Sequence, residues 1–472
     1  MEAGSPVGGA GSPDDAGLPD GIGSPDDAAA LAALTPWPED GTRADGPVAV
    51  DATDRLLLLE ARALLGAGRT PADVVVMGDR FGALTVGLLA LGVPCVRLHT
   101  DAVTAERAVA ANLDAVRARG LLGPATLRAQ DDGSTDATRD ERTGRPGDRW
   151  VVHEALEPAL VRGARLVLLQ LPRSLAELQE VAELVAREAA DDVVLLAGGR
   201  LKHMTHAMND VLAACFEDVR ATLARGKSRA LVAARPRAGA RTAAPTFPVV
   251  ATLRDPELLA AAGLATGHDA APAVAGRPAD AQGAAAGIAV VAHGGVFAGA
   301  TLDLGTRALL RTAGRWPEAA DAVDLGCGTG LLATVLALRD PRTRVVAVDR
   351  SAAAAASARA TSRANGVAER VVVLRDDAGE GAAPGSADLV LCNPPFHDRA
   401  ALSTDAAHRM FAAAARMLRP GGELWCVYNA GLRYRPALER TVGPTEQVSR
   451  DPRFTVTRSA TRSATRSVRA DA

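Results

Sequence analysis

The sequence predicts an α/β protein of two tandem domains, each a mostly parallel sheet with helices on both faces, the first domain being a degenerate copy of the second. Three observations predict this. Short apolar segments alternate with helix-like runs from about residue 50 to 236 and again beyond 287. A glycine-rich loop, Asp324-Leu-Gly-Cys-Gly-Thr-Gly330, joins one apolar segment to a helix-like run. The landmarks of that second half recur, eroded, in the first. A chain of 472 residues exceeds what one core usually serves. Its 48% apolar residues, mostly Ala, Val and Leu, suffice for two layered cores although aromatics make up only 3%.

Residues 1–45 read as a disordered acidic extension, because Gly-Ser-Pro-Asp-Asp occurs at 11–15 and again at 23–27 among glycines and alanines. From 46 to 236 the expected elements are a helix over 56–65, a strand over 74–77, a helix over 83–91, and strands over 93–98, 166–169 and 193–196. Residues 237–286, rich in Ala, Gly and Pro, read as a linker with a short helix at 256–262. The intact domain spans 287–460. A polar tail over 461–472 reads as flexible, following and overlapping a Ser-Ala-Thr-Arg repeat at 459–462 and 463–466.

In the intact half, the glycines at 326, 328 and 330 let the backbone turn sharply and approach a ligand without Cβ clashes. The dinucleotide fingerprint would need a glycine where Leu331 stands, and a phosphate-binding P-loop needs a Gly-Lys-Ser/Thr that is absent. Two further strands, over 344–348 and 371–374, end at Asp349 and at Asp376-Asp377. Asp349 lies 25 residues after Asp324, placed to accept from both hydroxyls of a ribose. Asp377 is expected to read an adenine edge. Asp324, Gly326, Gly328, Gly330, Asp349 and Asp377 are therefore the expected cofactor-binding residues. The ligand they imply is an adenosine held without a phosphate cradle, namely S-adenosylmethionine.

The strand over 388–392 ends in Asn393-Pro-Pro-Phe396, 69 positions after Asp324. An exocyclic amine is a poor nucleophile because its lone pair is delocalised, so an enzyme that alkylates it must draw on its N–H bonds with acceptors. The Asn393 side-chain oxygen and the Pro394 carbonyl can supply two. Pro394 and Pro395 remove competing N–H groups and fix φ, and Phe396 offers a stacking face for a planar substrate. These four are the expected catalytic residues. His397 either lines the base pocket or caps the loop.

Asp-x-Gly-x-Gly-x-Gly, a strand-end acid and Asn-Pro-Pro-Phe together resemble the Rossmann-like class I S-adenosylmethionine-dependent methyltransferases that act on exocyclic amines. The finer resemblance is to the two-domain ribosomal RNA guanine-N2 methyltransferases. It is carried by the lead-in Gly295-Val-Phe-Ala-Gly-Ala-Thr-Leu-Asp-Leu-Gly-Thr-Arg307, by the loop 393–397 and by Gly421-Gly-Glu-Leu-Trp-Cys-Val-Tyr-Asn429. Ala401-Leu-Ser-Thr-Asp405 with Met410-Phe411 is closer to the large-subunit (23S) methyltransferase G family than to its small-subunit relative. The resemblance implies transfer of a methyl group to the N2 amine of a guanine in ribosomal RNA, with the RNA or a ribosomal subunit as partner. Methylation of adenine N6 or of a glutamine side chain would use the same tetrapeptide. A non-catalytic RNA-binding or assembly protein is the alternative from another class.

The eroded copy keeps Met77-Gly-Asp-Arg-Phe-Gly82 in place of the glycine loop, then Asp101, 24 positions after Met77, then Gln170-Leu-Pro-Arg173 in place of Asn-Pro-Pro-Phe. Asp101 to Gln170 is 69 residues against 44 for Asp349 to Asn393, an excess of 25 expected around 131–148. With one proline and the aromatic platform missing, this half is expected neither to bind cofactor nor to catalyse. By resemblance it binds RNA and supports its neighbour.

The first 54 residues hold eleven acids against Arg43, a balance of −10, so the remaining 418 carry +7 of the total −3. That is a modest basic balance, compatible with phosphate contacts. Lys202 and Lys227 are the only lysines. His203, Met204, His206 and Met208 cluster without a Cys or acid at ligand spacing, so core packing and loop hydrogen bonds are expected there and no metal. Five scattered cysteines without a C-x-x-C pair, no signal-like start and no long apolar span indicate a cytoplasmic protein away from membranes.

Overall fold

In a computed structural model that describes residues 25–36, 48–66, 74–122, 149–264, 287–395 and 400–462, the chain forms two seven-stranded sheets and one two-stranded sheet. The first large sheet comprises β1 (Val74–Met77), β2 (Val96–His99), β3 (Trp150–Val152), β4 (Leu166–Gln170), β5 (Val194–Arg200), β6 (Phe216–Ala221) and β7 (Ser228–Pro236), in the order β3-β2-β1-β4-β5-β7-β6. A two-stranded sheet of β8 (Val249–Leu253) and β9 (Ile288–Ala292) follows. The second large sheet contains β10 (Asp321–Leu325), β11 (Arg344–Asp349), β12 (Val371–Arg375), β13 (Ala387–Cys392), β14 (Leu418–Asn429), β15 (Thr445–Arg450) and β16 (Phe454–Ala460). Its order, β12-β11-β10-β13-β14-β16-β15, repeats the first strand for strand. These are two tandem Rossmann-like domains, each with five parallel strands and an antiparallel pair at one edge.

Central strands such as Val74–Met77 are buried along their whole length, which is why they read as unbroken apolar runs. The edge strands β6 and β15 carry Glu217, Asp218, Arg220, Glu446 and Arg450 in mostly exposed positions, and such charge discourages edge-to-edge pairing. The helix Leu331–Arg339 is buried on nearly every side, whereas Leu175–Glu188 is amphipathic and capped by Ser174. In the first domain, 31 residues separate the helix ending at Ala118 from Trp150; six separate Ala364 from Val371 in the second. That difference accounts for the whole excess of 25. The stretch 131–148, where the excess is expected, lies outside the described residues.

Two segments depart from expectation. Pro25–Ala32 is a helix, and with the turn after it this segment buries Ala30, Leu31 and Leu34 in the first core, so part of the acidic extension is structural. Within the expected linker, β8 pairs antiparallel with β9, Val249 opposite Ala292. The strand β9 then runs along the helix Ala352–Ala364, where Asn365, Thr361 and Ser357 accept from Ala289, Val291 and His293 N–H. The helix expected at 256–262 is present as Pro256–Ala261, capped by Asp255. Among the described residues no helix is long and apolar enough to cross a membrane.

The two domains meet through equivalent loops. Ala102, just past β2, forms an antiparallel bridge with Ser351, just past β11. Val103 N–H donates to the Arg350 carbonyl and Ala352 N–H to that of Asp101. Around this bridge Arg375 pairs with Glu106 at 2.6 Å, and Arg107 pairs with Asp376 at 2.9 Å and Glu380 at 2.7 Å.

Candidate active site

The carboxyl ends of β10 to β13 open onto a cavity of about 450 Å³. Its lining includes Gly326, Gly328, Asp349, Asp377, Asn393, Pro394 and Pro395, which the sequence assigns to the site, and Asp101, Phe297, Asp303, Thr306 and Met410, to which it gives no role there. Phe396 and His397 lie outside the described residues.

The glycine loop turns because positions 326, 328 and 330 all have positive φ, of 78°, 53° and 73°. The three glycines serve different ends. Nothing lies within 4 Å of where a Gly328 Cβ would stand, and Gly328 N–H donates to Asp349 Oδ2 at 3.0 Å. Gly330 does not line the cavity. A Cβ there would meet the Cα and Cβ of Ala358 at 2.8 Å, so this glycine lets the helix Ala352–Ala364 approach.

Asp324 also faces inward. It is buried beneath the loop, where its Oδ2 accepts from Ala333 N–H at 2.9 Å, and it does not reach the cavity. Burial raises its pKa to about 7, with the Asp349 charge adding to the shift. Its role is that of an internal strut between β10 and the helix Leu331–Arg339.

Asp349 ends β11 with both oxygens oriented by backbone, Oδ2 by Gly328 N–H and Oδ1 by Ser351 N–H, each at 3.0 Å. Of the acids ending β12, Asp376 is occupied by Arg107, Asp377 N–H and Gly381 N–H. Asp377 lines the cavity, and its carboxylate has no protein partner among the described residues.

Asn393 follows β13, and both hydrogens of its amide are spent. Nδ2 donates to Asp303 Oδ2 at 3.0 Å and to Thr306 Oγ1 at 3.1 Å. A carboxylate can only accept, so it fixes which end of the amide faces it. The other end, Oδ1, is a buried acceptor without a partner among the described residues. A lone unsatisfied acceptor in a cavity wall is costly unless something donates to it. The missed residues carried a local signal, since Asp303 caps the helix Leu304–Leu310 by accepting from Thr306 N–H at 3.0 Å.

The first domain has closed its equivalent place. Asp79 accepts from Gly82 N–H, Thr85 N–H and Thr85 Oγ1, while Gln170 approaches the position of a Gly78 Cβ at 3.2 Å and donates to Asp54. His99, on β2, is buried and bonded to the His153 carbonyl.

A parallel sheet with a glycine turn after one strand, a bonded acid after the next and an oriented asparagine before two prolines defines a class I methyltransferase. Comparison with known proteins agrees. Residues 287–458 match the Methyltransferase small domain, and residues 30–122 with 141–238 match the RLMG N-terminal domain. Proteins called Ribosomal RNA large subunit methyltransferase G from Streptomyces avermitilis and Streptomyces coelicolor are 34% and 35% identical over 90% of this chain and 96% of their own. The chain belongs to the ribosomal RNA large subunit methyltransferase G family. A 16S rRNA N2 methyltransferase of T. thermophilus, solved in complex with AdoMet and guanosine, shares the fold, with a TM-score of 0.61 at 19% identity over 87% of this chain and 92% of that one.

Proposed function

We propose that this chain transfers a methyl group from S-adenosylmethionine to the exocyclic N2 amine of a guanine in large-subunit ribosomal RNA. The observation that carries the reading is the orphaned Oδ1 of Asn393, a residue of the cavity wall whose amide nitrogen is held by Asp303 and Thr306. The relatives' name supplies the RNA, and the N2 specificity of the T. thermophilus enzyme supports the choice of amine.

The residues present fit an adenosine cofactor. The open Cβ position of Gly328 leaves room for it against the backbone, Asp349 suits a ribose, and the unpartnered Asp377 suits an adenine edge. When bound, S-adenosylmethionine supplies an electrophilic methyl group on a sulfonium. The chain's own work is done on the base. One N–H of the amine donates to Asn393 Oδ1 and the other to the Pro394 carbonyl, which localises the nitrogen lone pair and holds it on one line of approach. Pro395 and Phe396 complete that loop, with Phe396 as a stacking face. No side chain here is asked to act as a strong base, because an N-methylated amine cation gives up its proton to water.

The eroded first domain supports the second and takes part in holding the RNA. The test is nucleoside mass spectrometry of ribosomal RNA from cells lacking the chain, complemented with wild type or with Asn393→Ala. One N2-methylguanosine should vanish on deletion and return only with wild type. An unchanged nucleoside profile would sink the proposal.

A further inference from the structure

Both lysines of the chain come together on one surface of the first domain. Lys202 follows the end of β5, Lys227 precedes the start of β7, and Leu201 N–H donates to the Lys227 carbonyl at 3.0 Å. Arg200 lies opposite Ser228 in the β5–β7 ladder, and Arg225 bridges to Ser228 across the β6–β7 turn. All four cationic side chains are exposed, and none has an ion-pair partner among the described residues. Two acids at the adjoining helix start are already committed. Asp51 accepts from Thr53 and Asp54 N–H, while Asp54 accepts from Asp51 N–H and Gln170.

The turn that carries Arg225 and Lys227 is braced. Thr53 and Ser228 share a hydroxyl hydrogen bond of 2.9 Å, and a Cβ at Gly226 would stand 2.9 Å from that of Ala52. Lys227 itself holds a left-handed φ of 60°, a conformation that a side-chain-bearing residue adopts only where its surroundings impose it. At the tip, Leu223 is 82% exposed. Four cations without acids on one surface repel one another, and a polyanion relieves that repulsion.

The surface also leads to the cavity. Leu171 N–H donates to the Gly198 carbonyl on β5, and Leu171 packs where a Gly199 Cβ would be. Three residues on, Ser174 Oγ donates to the Gly294 carbonyl, and Gly295 and Phe297 line the cavity mouth, Phe297 with 61% of its surface exposed. A strand bound at the basic turn is thereby connected, through the loop 170–174, to the rim over Asn393.

We propose that Arg200, Lys202, Arg225 and Lys227 form a phosphate-backbone binding surface for the substrate RNA, which the first domain uses to present a nucleotide to the cavity of the second. This rests on the reading of the chain as an enzyme of ribosomal RNA. Each phosphate neutralised by such a cation contributes about 0.7 to 0.9 to the slope of log affinity against log salt.

Because the chain has only these two lysines, amine acylation reports on this surface selectively. The full chain is treated with an acetylating reagent, with and without in-vitro-transcribed 23S RNA, and labelling at Lys202 and Lys227 is followed by peptide mass spectrometry. Both lysines should be protected by the RNA. The variant R200A/K202A/R225A/K227A should bind that RNA with a salt slope lower by about three, while S-adenosylmethionine affinity by calorimetry stays at the wild-type value and reports an intact fold. Equal labelling with and without bound RNA, or an unchanged slope in the variant, overturns the proposal. Protection by intact subunits but not by the naked RNA assigns the surface to a ribosomal protein and also overturns it. Binding is read without methyl transfer. Lysines protected by an RNA that is never methylated would sink the reaction and leave the surface, and methylation with unprotected lysines would sink the surface alone.

Discussion

Asp303 accepts a hydrogen bond from the Asn393 amide nitrogen at 3.0 Å across 90 residues of sequence, and Thr306, from the same helix start, takes the second amide hydrogen at 3.1 Å. The Asn393 amide is thus held at its nitrogen by the lead-in segment, and its oxygen has a single orientation left. Thr306→Val separates this role from the helix cap, because it removes Oγ1 and keeps the N–H that Asp303 caps. We expect Thr306→Val to lower kcat about tenfold with little change in thermal midpoint, and Asn393→Ala to lower it about 10²- to 10³-fold, the usual loss of one preorganised polar group. Single-turnover rates with unchanged cofactor affinity would establish it. A Thr306→Val enzyme with wild-type kcat would refute the amide-holding role.

Two neighbouring glycines should respond in opposite ways to the same substitution. Gly330→Ala drives a methyl into Ala358 at 2.8 Å at a φ of 73°, so it should cost on the order of 2 kcal/mol of stability. Gly328→Ala meets no protein atom within 4 Å, so beyond about 1 kcal/mol of backbone strain its methyl stands in the cavity. Urea unfolding should single out the first variant, and calorimetric titration with S-adenosylmethionine the second.

The first domain reaches into the cavity of the second through Asp101. Its Oδ1 accepts from Ser351 Oγ and Ala353 N–H, both at 2.9 Å, at the start of the helix that follows Asp349. Asp101→Ala should cost about 1 kcal/mol, as a lost helix cap does, and weaken cofactor binding several-fold without touching Asp349 itself. Arg375→Ala should cost more, about 3 kcal/mol. It strands Glu106 and the Thr100 carbonyl in a largely buried interface where the Arg375 side chain is only 9% exposed. Equilibrium unfolding and calorimetry on the full chain measure both effects.

Two carboxyls give the fold a pH dependence. Burial raises Asp324 to about 7, and burial with the nearby charges of Asp101 and Glu180 raises Glu177, at the domain interface, to about 7. Both groups bind protons more tightly folded than unfolded. Their contribution is therefore fully present below the unfolded pKa of about 4 and is lost as pH rises from there through 7, with no further loss above. Asp324→Asn, whose amide oxygen can still accept from Ala333 N–H, should flatten that fall by an amount on the order of a few kcal/mol. Chemical denaturation at pH 5 and pH 8 would test it, and an equal pH slope in wild type and variant would contradict the shift.

Much of this protein is written in contiguous residues. The glycine turn, the strand-end acids Asp349 and Asp377 and the Asn-Pro-Pro loop are local devices whose backbone chemistry shows in a few positions. Their spacing places them on successive parallel strands, and it exposes the eroded copy as well. The repeated strand order bears out that comparison. The sequence alone also implies the methyl donor, because glycines and acids without a phosphate cradle suit an adenosine.

Packing between distant segments decided the rest. Nothing local tells Asp324 and Gly330 apart from Gly328; burial makes the first two internal and leaves the third at the cavity. The helix Pro25–Ala32 has an acidic, glycine-flanked sequence and is structural because Leu31 finds a core to enter. The direction of the Asn393 amide, the cap that Asp101 lends to the other domain and the convergence of Lys202 with Lys227 each join residues that the chain keeps far apart, by up to 250 positions for Asp101 and Ser351. Contacts of this kind carry no sequence period, so these pairings exist only once the chain has folded and its loops have met.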